Sequence, residues 1–207
     1  QPIHYHAEGK GELALVFIHC WTCSSNLWHN QLPAFASKYR VVTLDLAGHG
    51  RSGVDRGAFT MRAFAADVKA VVEALGLRRI VVIGHSMGGF VIQKYLERHE
   101  TPAVVLLCSV PPQGLIAAQF HLLLQKPHLF MDLNRIMGGD HADSQTLREA
   151  LFAGEVDEEM LQVWMGRMQS ESHRALWDMS MFSLPNLHAM NRPPMLILGA
   201  EHDVLVP

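Results

Sequence analysis

The chain has 207 residues, 49% of them hydrophobic and 18% charged, with a formal net charge of −3. That length supports one domain with a sizeable core, and the absence of a basic stripe or polybasic run excludes an evident nucleic-acid partner. No apolar stretch reaches the roughly 18 to 20 residues that a membrane span needs, and the longest, over 102–110, reads as a buried strand.

Strand and helix patterns alternate from the start. Residues 13–18, Leu-Ala-Leu-Val-Phe-Ile, predict a buried strand, followed by a helix over 25–37. Residues 40–44 predict a second strand that ends in a loop from Asp45 to Gly53. The next helix has Thr60 as its N-cap, Phe64, Val68, Val71, Val72 and Leu75 on one face, and Gly76 as its stop. A strand over 80–83, a helix running to about His99 and a strand over 103–109 complete the series. Near-continuous apolar strands joined by helices imply a parallel sheet covered on both faces. Ligands of such sheets sit at the carboxyl ends of the strands, where His19, Asp45, Ser86, Ser109 and Ala200 fall.

The rhythm breaks at Pro111. As far as Arg192 there is no clear strand, and helical patterns cover 122–133, 144–152, 158–168 and 173–181. The strand over 195–198 resumes the alternation after Pro193-Pro194. The reading is an α/β core over 1–110 and 193–207, with a helical insertion over 111–192 lying across the sheet. Its many methionines read as helix core, some of them lining an adaptable apolar pocket.

The strand over 80–83 runs into Gly84-His85-Ser86-Met87-Gly88. G-x-S-x-G between a strand and a helix forces a sharp, strained turn that presents the serine hydroxyl above the sheet. Gly84 and Gly88 leave room that bulkier residues would fill. A serine that merely capped a helix would not need glycine on both sides, so Ser86 is the candidate nucleophile. An unaided serine is too weak an acid to attack an ester at neutral pH and needs a nearby base.

Three further stretches join this one: Phe17-Ile18-His19-Cys20-Trp21, Asp45-Leu46-Ala47-Gly48-His49-Gly50-Arg51-Ser52, and Leu196-Ile197-Leu198-Gly199-Ala200-Glu201-His202-Asp203. In order and spacing the chain resembles the α/β-hydrolase superfamily, close to the small esterases and lipases with a helical cap. The resemblance implies an α/β-hydrolase fold, a mostly parallel sheet flanked by helices with a cap insertion. It implies that the backbone N–H groups of Trp21 and Met87 form an oxyanion hole and that Asp203 is the acid of a catalytic triad, with Glu201 as the alternative. Cys20 stands where the family usually has glycine.

The histidine that should follow the acid is missing from 204–207. None of the 13 histidines occupies its place. His85 is expected to face away from the chemistry, and His202 adjoins the acid too closely to bridge it to Ser86. His121, His128, His141, His173 and His188 read as surface or cap residues. The expectation is a chain cut short at both ends, with its base beyond Pro207. The rival is a chain that lacks a base and hydrolyses nothing.

The implied reaction is hydrolysis of a small-molecule carboxylic ester with an apolar acyl or alcohol group, through an acyl-enzyme. No metal or organic cofactor is implied. Lactonase, thioesterase, carbon–carbon hydrolase and perhydrolase reactions use similar parts, and a non-catalytic module binding a small apolar ligand could use the same fold. Serine at the elbow argues against the dehalogenase and epoxide-hydrolase branches, which by resemblance use aspartate there.

Two other motifs compete. Gly48-His49-Gly50-Arg51-Ser52-Gly53 spells G-x-G-x-x-G, but residues 54–59 open no helix to receive a pyrophosphate. Cys20-Trp21-Thr22-Cys23 spells a redox C-x-x-C, set against a packed cysteine near the floor of the site. Three cysteines cannot all pair internally, which together with the absence of a visible secretory signal implies a reducing, cytoplasmic setting.

Overall fold

A computed structural model of the chain describes residues 1–137, 143–169 and 171–206; His141 and Pro207 lie outside them. The described strands are β1 (Tyr5–Glu8), β2 (Leu13–Ile18), β3 (Arg40–Leu44), β4 (Arg79–His85), β5 (Ala103–Leu107) and β6 (Met195–Leu198). They form one sheet in the order β1-β3-β2-β4-β5-β6. All neighbours are parallel except β1, which runs antiparallel to β3. This is the α/β-hydrolase fold expected from the sequence.

The strand sequences follow from burial on both faces. In β2, Ala14, Val16 and Ile18 pack into the larger core. Leu15 and Phe17 point the other way, against Trp28, Val41 and Ile83. With water excluded from both sides, every position of the strand favours an apolar side chain. β1 was not predicted, and its physical reason is the converse. It is an edge strand whose Tyr-His-Ala-Glu sequence is exposed or half-buried throughout, so no apolar period marks it. β6 has β5 as its partner among the described residues, and Leu196, Ile197 and Leu198 are 52%, 66% and 49% exposed there.

Helices α1 (Gln31–Ala36), α2 (Met61–Ala74) and α3 (Met87–Leu96) cover the sheet. The start of α2 is the predicted cap, since the Thr60 hydroxyl accepts the Ala63 N–H at 3.1 Å. Its apolar face, Phe64, Val68, Val71 and Val72, lies in the core. Gly76 follows in the left-handed region at φ +61°, where a side chain is costly. The predicted helix over 25–37 is instead a 3₁₀ turn, Ser25–Trp28, and the short α1.

Among the described residues, five helices separate β5 from β6: α4 (Ile116–Gln125), α5 (Pro127–Met137), α6 (Ser144–Leu151), α7 (Glu158–Met165) and α8 (His173–Trp177). The single helix expected over 122–133 is two helices. Pro127 has no N–H to donate, so it suits the first position of a new helix and ends the old one. α8 runs into a wider turn, Asp178–Phe182. Asp178, 1% exposed, ties that turn to the core by accepting the Met61 N–H at 3.0 Å and the Arg174 Nε at 2.8 Å. Ala175 and Met179 thereby join the main core, while Leu122, Leu129 and Ala150 form a smaller cluster of their own.

Candidate active site

Ser86 sits on the turn between β4 and α3 at φ +51°, ψ −114°. Such a conformation costs an L residue about 1–3 kcal/mol and persists only where the surroundings impose it. They do so here through backbone contacts. The Ser86 N–H donates to the Leu107 carbonyl at 2.9 Å, and the Ser86 carbonyl accepts from Gly89 N–H at 3.0 Å. Gly84 and Gly88 let the strand and helix meet: a Cβ on Gly84 would lie 2.5 Å from the Gly88 carbonyl, and one on Gly88 would lie 2.7 Å from the His19 carbonyl oxygen.

Two cavities meet at Ser86. One, of about 110 Å³, is apolar; Trp21 and Met87 line it beside Ser86, with Leu122, Leu176 and Met179 from the inserted region. The other, of about 320 Å³, is lined by Ser86, His85, Cys108, Glu201, His202 and Asp203. Of the residues expected to act, Trp21, Met87 and Ser86 thus share one wall, and Asp203 shares another with Ser86. Among the described residues, neither the Trp21 nor the Met87 backbone N–H has a hydrogen-bond acceptor. Asp203 Oδ1 accepts the Leu205 and Val206 N–H groups at 3.0 and 2.8 Å, which fixes the carboxylate.

His85 does not face away from this region, as expected from the sequence. It lines the second cavity, and burial lowers its pKa against the attraction of Asp203. Among the described residues, no histidine ring hydrogen-bonds the Ser86 hydroxyl, and His141 lies outside them.

The loop that carries Trp21 is held by a histidine that sequence reading placed at a strand end without a role. His19 is fully buried. Its Nδ1 lies 2.8 Å from the Cys20 carbonyl, an acceptor, and its Nε2 accepts the Leu46 N–H at 3.1 Å. One nitrogen must donate and the other must accept, so the ring is neutral with the proton on Nδ1. The Cys20 carbonyl belongs to the same peptide plane as the Trp21 N–H. The histidine therefore sets the direction of that N–H.

His49 shows the opposite state, although its ring centroid is 4.8 Å from that of His19. Its Nδ1 faces the Ala47 carbonyl at 3.1 Å and its Nε2 faces a Glu171 carboxylate oxygen at 2.8 Å. Both partners accept, so the ring is an imidazolium. Burial alone would lower its pKa, but the Glu171 carboxylate wins and raises it. Glu171 came from deep in the inserted region, and nothing in its local sequence marked it.

Burial, together with the charge on His49, lowers the His19 pKa from 6.5 to about 4. Between those values the unfolded chain binds more protons than the folded one. Stability is therefore lost as pH falls from about 6.5 to 4, by up to about 3 kcal/mol. Denaturant unfolding at pH 7, 5.5 and 4.5 should show this fall, and His19→Asn should flatten it. An unchanged slope in that variant would assign the fall to other groups.

Cys20 and Cys23 are joined by a disulfide, leaving Cys108 as the free thiol. This corrects the expectation of a packed, unpaired cysteine at the floor of the site, while Cys108 stays unpaired as the odd count requires. The spacing of three residues is short enough for the loop to close on itself. No described helix is long and apolar enough to cross a membrane.

The sequence matches a family model described as the alpha/beta hydrolase fold over residues 14–207. It is 45% identical over 104 residues to a non-heme chloroperoxidase of Streptomyces lividans, covering 48% of this chain and 38% of that protein. It is 38% identical over 115 residues to a bifunctional esterase/perhydrolase of Acinetobacter calcoaceticus, covering 53% and 42%. The matches thus span about two fifths of the length of these relatives. Among solved structures, an esterase of Exiguobacterium antarcticum superposes with a TM-score of 0.76 over 99% of this chain and 79% of that one, at 20% identity.

Proposed function

The chain belongs to the alpha/beta hydrolase family, and on that footing we propose that it is a serine hydrolase cleaving carboxylic esters with an apolar acyl or alcohol group. The observation that carries this reading is the position of Ser86. It is a strained serine at the junction of an apolar cavity and a carboxylate-bearing one, and the apolar cavity is also lined by Trp21 and Met87, whose backbone N–H groups have no acceptor among the described residues.

In this reading the Ser86 oxygen attacks the ester carbonyl while its proton passes to a base. The negative charge that develops on the carbonyl oxygen is taken by the Trp21 and Met87 N–H groups. Such donors are worth about 3 kcal/mol each because they are aimed before the charge appears. The alcohol leaves with the proton, and water repeats the sequence to release the acid. Asp203 orients the base. The base is proposed to be a histidine that reaches the second cavity; none of the described histidines bonds the Ser86 hydroxyl. The helices between β5 and β6 act as the cap whose Leu122, Leu176 and Met179 receive the apolar group.

A second outcome for the same acyl-enzyme is capture by hydrogen peroxide in place of water, giving a peracid. The likeness to a bifunctional esterase/perhydrolase favours keeping that reading.

The test is a fluorophosphonate probe applied to the full-length protein, with the modified peptide identified by mass spectrometry. Labelling at Ser86 is expected. A folded protein that takes no label, or is labelled elsewhere, overturns the proposal and favours a module that binds without reacting.

A further inference from the structure

The inserted region does more than line the apolar cavity. Between α7 and α8 the chain runs against the Cys20–Cys23 loop and bonds it at several points. Gln169 donates its backbone N–H to the Thr22 carbonyl at 3.0 Å. Its side chain donates from Nε2 to the Cys23 carbonyl at 2.8 Å and accepts the Gly50 N–H on Oε1 at 2.8 Å. Glu171 accepts the Thr22 N–H on Oε2 at 3.3 Å, and the same oxygen lies 2.8 Å from Nε2 of His49. Its other oxygen accepts the Ser172 N–H at 2.9 Å. The side chains of His49 and Glu171 are each 2% exposed.

Both backbone groups of Thr22 are thus held by the inserted region. That matters because Thr22 is itself strained. It sits at φ +58°, in the left-handed region that a β-branched residue enters only when its surroundings over-determine it. The residue before it is Trp21. On one side of Trp21, His19 and the disulfide fix Cys20; on the other, Gln169 and Glu171 fix Thr22.

We propose that Gln169 and Glu171 are positioning residues for the oxyanion hole, a clamp by which the cap holds the Trp21–Thr22 turn in the conformation that aims the Trp21 N–H beside Ser86. This inference rests on the serine-hydrolase reading of the site. The cap then has two roles that are joined physically, since the segment leading into α8 both supports the donor loop and leads to Leu176 and Met179 on the cavity wall. An oxyanion donor acts on charge that appears only in the transition state, so its misplacement lowers kcat more than it raises KM.

The experiment compares Gln169→Ala and Glu171→Gln with the wild type in the full-length protein. Glu171→Gln keeps an oxygen for the Thr22 N–H but forfeits the charge facing His49. Gln169→Ala removes the side-chain bonds to Cys23 and Gly50, keeps the main-chain bond to Thr22 and leaves no buried charge unpaired, so it still tests the side chain's part in the clamp if the Glu171 variant fails to fold. Each is assayed for kcat and KM on p-nitrophenyl butyrate and for amide hydrogen exchange over residues 20–24. For Gln169→Ala the expectation is a fall in kcat of at least tenfold, a change in KM of less than threefold, and exchange at least tenfold faster in that segment. Exchange unchanged in the folded variants overturns the clamp whatever the activity. Faster exchange with kcat within twofold of wild type overturns its catalytic role. A wild-type protein that neither hydrolyses the ester nor takes the fluorophosphonate overturns the hydrolase reading and the catalytic role with it, while the exchange comparison still decides whether the cap holds the loop.

Discussion

Ser86→Ala will lower ester turnover by about 10⁴-fold or more while leaving the protein folded and unlabelled by fluorophosphonate. The magnitude follows from what is lost. Without the hydroxyl no acyl-enzyme forms, and what remains is the smaller contribution of binding and of the proposed oxyanion donors acting on water. The retained fold follows from the backbone. Alanine keeps the Cβ, so the turn at φ +51° is as strained as before and is imposed by the same bonds from Leu107 and Gly89. Ser86→Gly separates the two effects. Glycine tolerates positive φ, so this variant should be equally inactive but more stable than Ser86→Ala by about 1 kcal/mol, the surplus of relieved strain over glycine's greater entropy loss. Steady-state kinetics and denaturant unfolding measure both. Activity in Ser86→Ala within tenfold of wild type would place the nucleophile elsewhere. Equal stabilities of the two variants would show that the turn stores no strain.

What could be read from the sequence was what local chemistry dictates. β2 throughout and β4 over residues 80–83 are apolar because both faces of the sheet are covered there, and Ser86 announces itself because the glycines it needs are its near neighbours in the chain. β1 was silent because an exposed edge strand has no apolar period. The helix expected over 122–133 broke at Pro127, where a missing N–H outweighed the apolar spacing. Asp203 was named through resemblance to a family, not through any pattern of its own. The residues that support the donor loop were invisible for a different reason. Glu171 contacts His49 across 122 positions, and neither residue carries a local signature of the other. His19 and His49 are the same side chain in opposite charge states, set by whether the second partner is an N–H or a carboxylate. Such facts belong to the packed chain. The cysteines misled because counting them says nothing about which two lie within bonding reach.

Gly88→Ala is expected to cost about 3 kcal/mol of stability and to reduce kcat in the molecules that still fold. Its Cβ would press on the carbonyl oxygens of Ile18 and His19. These are backbone atoms, and they cannot swing aside as the end of a flexible side chain can. Ile18 is fully buried and is registered against Gly84 in the ladder between β2 and β4. The strain must be relieved by moving α3 away from the end of β2, which is worse than ordinary overpacking of a core. That movement separates the two proposed oxyanion donors, because Met87 opens α3 while Trp21 follows the end of β2. A shift of about 1 Å in such an arrangement can cost on the order of 100-fold in rate. Gly154→Ala is the matched control: a Cβ there meets nothing within 4 Å, so stability should stay within about 0.5 kcal/mol of wild type. Denaturant unfolding and steady-state kinetics on both variants decide the matter. If Gly88→Ala is as stable and as active as Gly154→Ala, helix and strand are not in contact at this point, and the close approach proposed to aim the two N–H groups at one spot does not exist.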